Sequence, residues 1–95
     1  MIRHIVLFNA KDPKNKAAVL AGLKTLETIE GDWTLEVREN IKTDQIGNDV
    51  DFVVYGEFPD LTALERYKAD PLYAEAIRLV RPLRDMRIAV DVEAA

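Results

Sequence analysis

The sequence predicts an α+β domain with one four-stranded antiparallel sheet and its helices on one face. Three observations carry this. Segments of alternating polarity and segments of three- and four-residue apolar spacing succeed one another in the order β-α-β-β-α-β. Most boundaries fall on a capping, turn or proline residue. The first strand is apolar on both faces, which places it in the middle of a sheet covered on both sides. This order is the ferredoxin-like split βαβ arrangement, with spatial strand order 4-1-3-2.

Each element has its own signal. "IRHIVLFN" is the first strand, with Ile2, His4, Val6 and Phe8 on one face and Arg3, Ile5, Leu7 and Asn9 on the other. "KDPKNKAAVLAGLKTLETIEGD" reads as one helix. Asp12 is its N-cap, Pro13 its first position, and Val19, Leu23, Leu26 and Ile29 with Leu20 form its apolar stripe; Gly31 is its stop. Gly22, in mid-helix, is read either as allowing close packing on the sheet or as merely tolerated there. "WTLEVRENI" alternates as an outer strand, with Trp33, Leu35, Val37 and Ile41 on one side, and Trp33 packs at the sheet edge. A polar loop, "KTDQIGND", leads to the third strand, "VDFVVYGEF". Asp60 caps "LTALERYKA". Asp70-Pro71 ends that helix and starts "PLYAEAIRLV" at a new angle, because proline disfavours helical geometry just before it yet suits a first helical position. Pro82 limits this helix, and "MRIAVDVEA" is the last strand.

The strand faces can be assigned. Val6, Phe8, Leu35, Val37, Phe52, Val54 and Phe58 form the floor under the helices. Ile5, Leu7, Val53, Tyr55, Ile88, Val90 and Val92 lie on the opposite, open face. So large an apolar patch predicts a partner, and a homodimer joined through this open sheet face would bury it. Arg3, Glu36, Arg38, Asp51 and Glu57 would frame its rim or make inter-subunit pairs. His4 and Asp91 fall together on the helix side of neighbouring strands. A carboxylate there would fix the imidazole's tautomer and raise its pKa. Gly56, on the same side, removes side-chain volume from the space between helices and sheet. Read structurally, His4 and Asp91 close one end of the core; read functionally, they serve a pocket.

Composition excludes several classes. The 95 residues form one domain, residues 1–95, with a formal charge of -4 and no cysteine or serine. Disulfides, thiolate zinc sites and serine or cysteine nucleophiles are therefore ruled out. One histidine makes a transition-metal site improbable, so no metal and no cofactor are expected. An acidic chain without an aromatic-basic stripe is not expected to bind nucleic acid. No run is long enough to span a membrane, and the N-terminus lacks a signal peptide pattern, so a cytoplasmic location is expected. Arg78, Arg81, Arg84 and Arg87 form a modest cluster. It reads as a solvated face complementing a helix C-terminus, or as an anion site.

The combination of "IRHIVLF", "EFPDLTALERYKADPLY" and "VRPLRDMRIAVDVE" resembles the stress-responsive A/B barrel (Dabb) family over nearly the whole chain. The resemblance implies a dimeric α+β barrel. The family also includes plant polyketide cyclases, in which a helix-2 tyrosine and a nearby histidine close a linear polyketide by aldol chemistry. On this resemblance Tyr67, His4 and Asp91 occupy the matching tyrosine, strand-1 histidine and terminal-strand aspartate positions. The catalytic histidine falls at Tyr73, so that mechanism does not transfer intact: a phenol of pKa near 10 is a poor base at neutral pH. Related barrels include cofactor-free monooxygenases.

The resulting expectation is a small homodimer that binds a small apolar or aromatic molecule between helices and sheet. Val6, Phe8, Val54, Gly56, Phe58, Tyr73 and Ala89 would line the pocket. One alternative is a cofactor-independent enzyme, cyclase-like or monooxygenase-like, using His4, Asp91 and Tyr67. Another is a non-catalytic dimerisation module.

Overall fold

The computed structural model describes residues 1–94. Strands β1 (Ile2–Ala10), β2 (Thr34–Glu39), β3 (Phe52–Phe58) and β4 (Arg84–Glu93) form one sheet, and the helices are α1 (Lys16–Lys24), α2 (Leu61–Ala69) and α3 (Pro71–Val80). The sheet order is β2-β3-β1-β4, with every neighbouring pair antiparallel. This is the predicted ferredoxin-like arrangement.

Local chemistry sets the boundaries. The Asp12 carboxylate accepts the Lys14 N–H at 3.0 Å, as a cap ahead of Pro13 should. The single first helix of the sequence reading is in fact α1 between two 3₁₀ turns, Pro13–Asn15 and Thr25–Thr28. Thr25 and Thr28 donate their hydroxyls to the carbonyls of Gly22 and Thr25, at 2.7 and 2.6 Å. Such back-bonding competes with α-helical pairing, and the regular helix ends short of Gly31. Asp60 caps α2 through the Ala63 N–H at 2.8 Å, and Asp70 caps α3 through the Leu72 N–H at 2.9 Å. Asp70 is extended (φ -66, ψ 139), so one residue ends α2 and begins α3.

Several strand ends differ from the sequence reading, β3 among them, which starts at Phe52 instead of Val50. β2 stops at Glu39, and Ile41 is 84% exposed rather than on the core face. Lys42, at φ 55, turns the chain there; its N–H is accepted by the Asn40 side chain at 2.9 Å. β4 starts at Arg84 instead of Met86. A bulge between Phe8 and Ala10 lets the Asn9 side chain accept the Met86 N–H at 2.7 Å, which extends the pairing.

The register orders both faces into rows. On the helix side run Val37–Val54–Val6–Ala89 and Leu35–Gly56–His4–Asp91. On the other face run Arg38–Val53–Leu7–Ile88 and Glu36–Tyr55–Ile5–Val90. The open face is thus polar at its β2 edge and apolar towards β4, where Ile88, Val90 and Val92 are 46–49% exposed. The core lies on the helix side, where Val6, Val37, Val54, Phe58, Val19 and Tyr67 are almost fully buried.

Two packing expectations need correction. Gly22 serves the contact between α1 and α3, not the sheet: a Cβ there would stand 2.7 Å from Val80 Cγ2. Asp51 is no rim residue. It is buried beneath Lys16 and Lys42 (3.3 and 2.9 Å) and accepts the Ala10 N–H at 3.0 Å. Arg38 and Glu57 also have partners within the chain, Glu36 and Glu27 for the first and the Tyr55 hydroxyl for the second. Trp33 packs at the sheet edge against Phe58, with ring centroids 5.4 Å apart.

Candidate functional site

A cavity of about 300 Å³ opens between the sheet and the helices. β1 and β3 supply His4, Val6, Phe8 and Val54. The first helical region supplies Leu23 and Leu26, and α2 contributes Tyr67. Tyr73, Ala76, Ile77 and Val80 come from α3, and Arg81, Arg84 and Arg87 complete one side. The volume lies at the lower end of the range for small-molecule sites.

His4 sits at the inner wall, 1% exposed. Its register partner on β4 is Asp91, and Nδ1 donates to Asp91 Oδ1 at 2.5 Å. A carboxylate only accepts, so Nδ1 carries the proton, and in the neutral ring Nε2 is the acceptor. Nε2 takes part in no hydrogen bond among the described residues, and no fully enclosed side-chain nitrogen or oxygen there lacks a partner. Nε2 therefore opens onto the cavity. By the same argument so does the Tyr67 hydroxyl, although Tyr67 is itself 1% exposed.

Burial depresses the His4 pKa below its ordinary 6.5. The Asp91 hydrogen bond and charge oppose this, while Lys68 and Arg87 add to it. The expected rise is therefore reversed: desolvation outweighs the carboxylate, and the ring is held neutral. Burial also pushes the Tyr67 phenol well above 10, with Tyr73 adding to the effect and Arg87 opposing it. Tyr67 is thus a neutral hydroxyl and a hydrogen-bond donor at any physiological pH.

Aromatic contacts position these groups. The Tyr67 ring lies 5.2 Å from both Phe58 and Tyr73 and 6.2 Å from His4, centroid to centroid. The Asp70-Pro71 turn between α2 and α3 brings Tyr67 and Tyr73 into this edge-on contact (75°).

The structure places the predicted site residues unevenly. His4, Val6, Phe8, Val54, Tyr67 and Tyr73 line the cavity. Asp91 stands behind His4, 39% exposed, and reaches the cavity only through the imidazole. Gly56, Phe58 and Ala89 lie outside the lining. The space above Gly56 is filled by the Phe58 ring, whose Cε1 is 2.6 Å from where a Cβ would be. Ala89 is exposed, like the rest of β4 from Arg87 to Glu93, because the helical layer does not cover this edge. The sequence reading missed Leu23, Leu26, Ala76, Ile77 and Val80 as lining residues, although their helical apolar spacing marks them as inward-facing. It also noted the arginines without placing them at a cavity.

A four-stranded antiparallel sheet with helices on one face and a cavity between the layers defines a ferredoxin-like α+β protein. The chain belongs to the Stress responsive A/B Barrel Domain family, Dabb, which it matches over residues 2–94. Among solved structures, it is similar to a Dabb family protein with a ferredoxin-like fold from Mesorhizobium loti. The two are 26% identical with a TM-score of 0.78, over 99% of this chain and 96% of that one. It is also similar to a dimeric ferredoxin-like protein of unknown function from Bacteroides fragilis, 24% identical with a TM-score of 0.78, over 98% and 95% of the two chains. An antibiotic biosynthesis monooxygenase, 20% identical, superposes with a TM-score of 0.69 over 100% and 99%. The last two likenesses show the fold alone. Among curated proteins, none matches the chain. No helix among the described residues is long and apolar enough to cross a membrane.

Proposed function

We propose that this chain is a homodimeric binding protein for a small apolar or aromatic molecule, held in the cavity between helices and sheet. The observation that carries the reading is the cavity itself: apolar walls enclose two convergent polar groups, Tyr67 Oη and His4 Nε2, that have no partner within the protein. An occupant that covers these groups must offer them polar atoms of its own, because leaving them buried without a partner is costly. The dimer is supported by the apolar rows of the open face and by the description of the Bacteroides fragilis relative as dimeric. Thermal shift against an aromatic and polyketide-like library tests the reading. A ligand at a hundred times its Kd raises stability by about 2.7 kcal/mol. Ala76→Leu, which places extra volume at a cavity wall, should abolish the shift. A library that leaves the melting temperature unchanged refutes ligand binding and favours a non-catalytic dimerisation module.

A second reading, a cofactor-independent enzyme, is favoured by the His4–Asp91 pair. A neutral imidazole with Nδ1 fixed and Nε2 facing the cavity is equipped as a general base, and the Tyr67 hydroxyl is equipped to polarise a carbonyl. His4 would then take a proton from the carbon beside that carbonyl. Once a turned-over ligand is found, His4→Ala should lower kcat by about 10²–10⁴. Unchanged turnover removes His4 from the chemistry.

A further inference from the structure

The arginines on one side of the cavity differ from most others in the chain, Arg3 on the open sheet face being likewise without a carboxylate partner among the described residues. Arg38, Arg66 and Arg78 each have a carboxylate within 3.3 Å. Arg81, Arg84 and Arg87 have none among the described residues; Arg84 makes only a 3.4 Å contact to the Asp85 carbonyl. They reach the cavity from three settings: Arg81 at the C-cap of α3, Arg84 at the start of β4, and Arg87 in register with Phe8. The chain carries 17 acidic residues and a net charge of -4, yet no Asp or Glu lines the cavity. Carboxylates in excess elsewhere and none facing these cations is not an effect of composition. Arg87 also depresses the pKa values of His4 and Tyr67, which places its charge beside the cavity's two polar groups.

We propose that the cavity takes an apolar molecule ending in an oxyanion, a carboxylate or phosphate, held by Arg81, Arg84 and Arg87; this rests on the small-molecule reading above. The aromatic or aliphatic body lies against Val6, Val54 and Leu26. The oxyanion receives charge-assisted hydrogen bonds from planar guanidinium groups, which suit carboxylate and phosphate oxygens in pairs. The competing account is that arginines after a helix merely complement its macrodipole. That influence fades within the last turn, so it covers Arg81 but not Arg84 or Arg87 on the following strand.

The experiment is calorimetric titration of the intact protein with 2-naphthoate, 2-naphthamide and 2-naphthyl phosphate. One or both anions should bind at least about tenfold more tightly than the neutral amide at low salt. That preference should shrink as ionic strength rises, which needs no mutation to observe. In Arg84→Gln/Arg87→Gln, checked for folding by circular dichroism, the anion preference should disappear while the amide binds as before. If that variant fails to fold, Arg81→Gln and the salt series decide. The relative affinity of naphthoate and naphthyl phosphate identifies which oxyanion is preferred. Equal binding of amide and anions, or an anion preference that survives both salt and substitution, overturns the arginine assignment and leaves the pocket reading intact. If no probe binds and the His4 ring resonances do not move, both are overturned.

Discussion

Two opposing influences act on the His4 ring, and burial is the larger. The sign follows directly. Where the folded-state pKa lies below the unfolded value, the unfolded chain takes up more protons as pH falls. The stability linked to His4 is complete above about 6.5 and declines as pH drops below it towards the folded value. His4 is the only histidine, so its ring resonances can be followed by NMR without assignment. They should titrate below 6.5, and lower still in Asp91→Asn, which removes the opposing charge. A wild-type value above 6.5 would mean that the carboxylate wins. Asp51 behaves differently. Burial alone would raise its pKa, but Lys42, the Ala10 N–H and Lys16 together bring it below 3.8. Its contribution is present above 3.8 and is lost as pH falls through the lower folded value. Asp51→Ala should cost about 1–3 kcal/mol in urea unfolding at pH 7, because the Ala10 N–H loses its partner while both lysines can reach water. A change below a few tenths of a kcal/mol would show that this network adds little.

Asp70 belongs to the scale of elements, since it closes α2 and opens α3. Asp70→Ala should cost about 1 kcal/mol through loss of the Leu72 cap, read as a lowered melting temperature. It should also loosen the Tyr67–Tyr73 contact that depends on the turn. At Gly22 two effects compete. Alanine gains roughly 1 kcal/mol of helix propensity, but its methyl meets Val80 Cγ2, a buried side chain that can yield only towards the cavity it lines. Overpacking costs about 1–3 kcal/mol, so Gly22→Ala should be neutral to destabilising. A clearly stabilised variant would show that α3 can move away.

At this scale much of the fold was legible. Alternation located four strands, Asp60 and Asp70 located the starts of α2 and α3, and Asp12 located the 3₁₀ turn that leads into α1, because both signals act between near neighbours in the chain. Strand order followed from the element order. The 3₁₀ ends of α1 were not legible; at the C-terminal one threonine hydroxyls act against an otherwise helical pattern. The register that puts His4 beside Asp91 was foreseen, because parity and antiparallel pairing fix it. The balance of burial and charge that sets the His4 pKa was not, because it depends on how much protein surrounds the ring. For the same reason Gly56 misled: its empty volume is taken by Phe58, two residues along its own strand. The arginine cluster was visible as spacing, but only tertiary structure brings it to a cavity.

For the whole molecule, the question is what covers the open sheet face. Its apolar rows are centred towards β1 and β4 rather than β2, so a symmetric partner should sit over Ile5, Leu7, Ile88 and Val90. Val90→Asp should convert the dimer to a monomer of half the mass by light scattering, while Glu36→Gln, on the polar side of the same row, should leave it associated. Wild-type protein that is already monomeric at micromolar concentration would refute the dimer.

The packing of Trp33 against Phe58 and Tyr67 gives the protein a built-in optical gauge. Trp33 is the sole tryptophan, and its ring centroid lies 6.0 Å from Tyr67, which in turn touches Tyr73 at the cavity wall. Excitation absorbed by the tyrosines passes to the indole over such separations. An occupant that re-orients Tyr67 will alter tryptophan emission excited through tyrosine more than emission excited directly, so filling of the cavity is readable without attaching any dye.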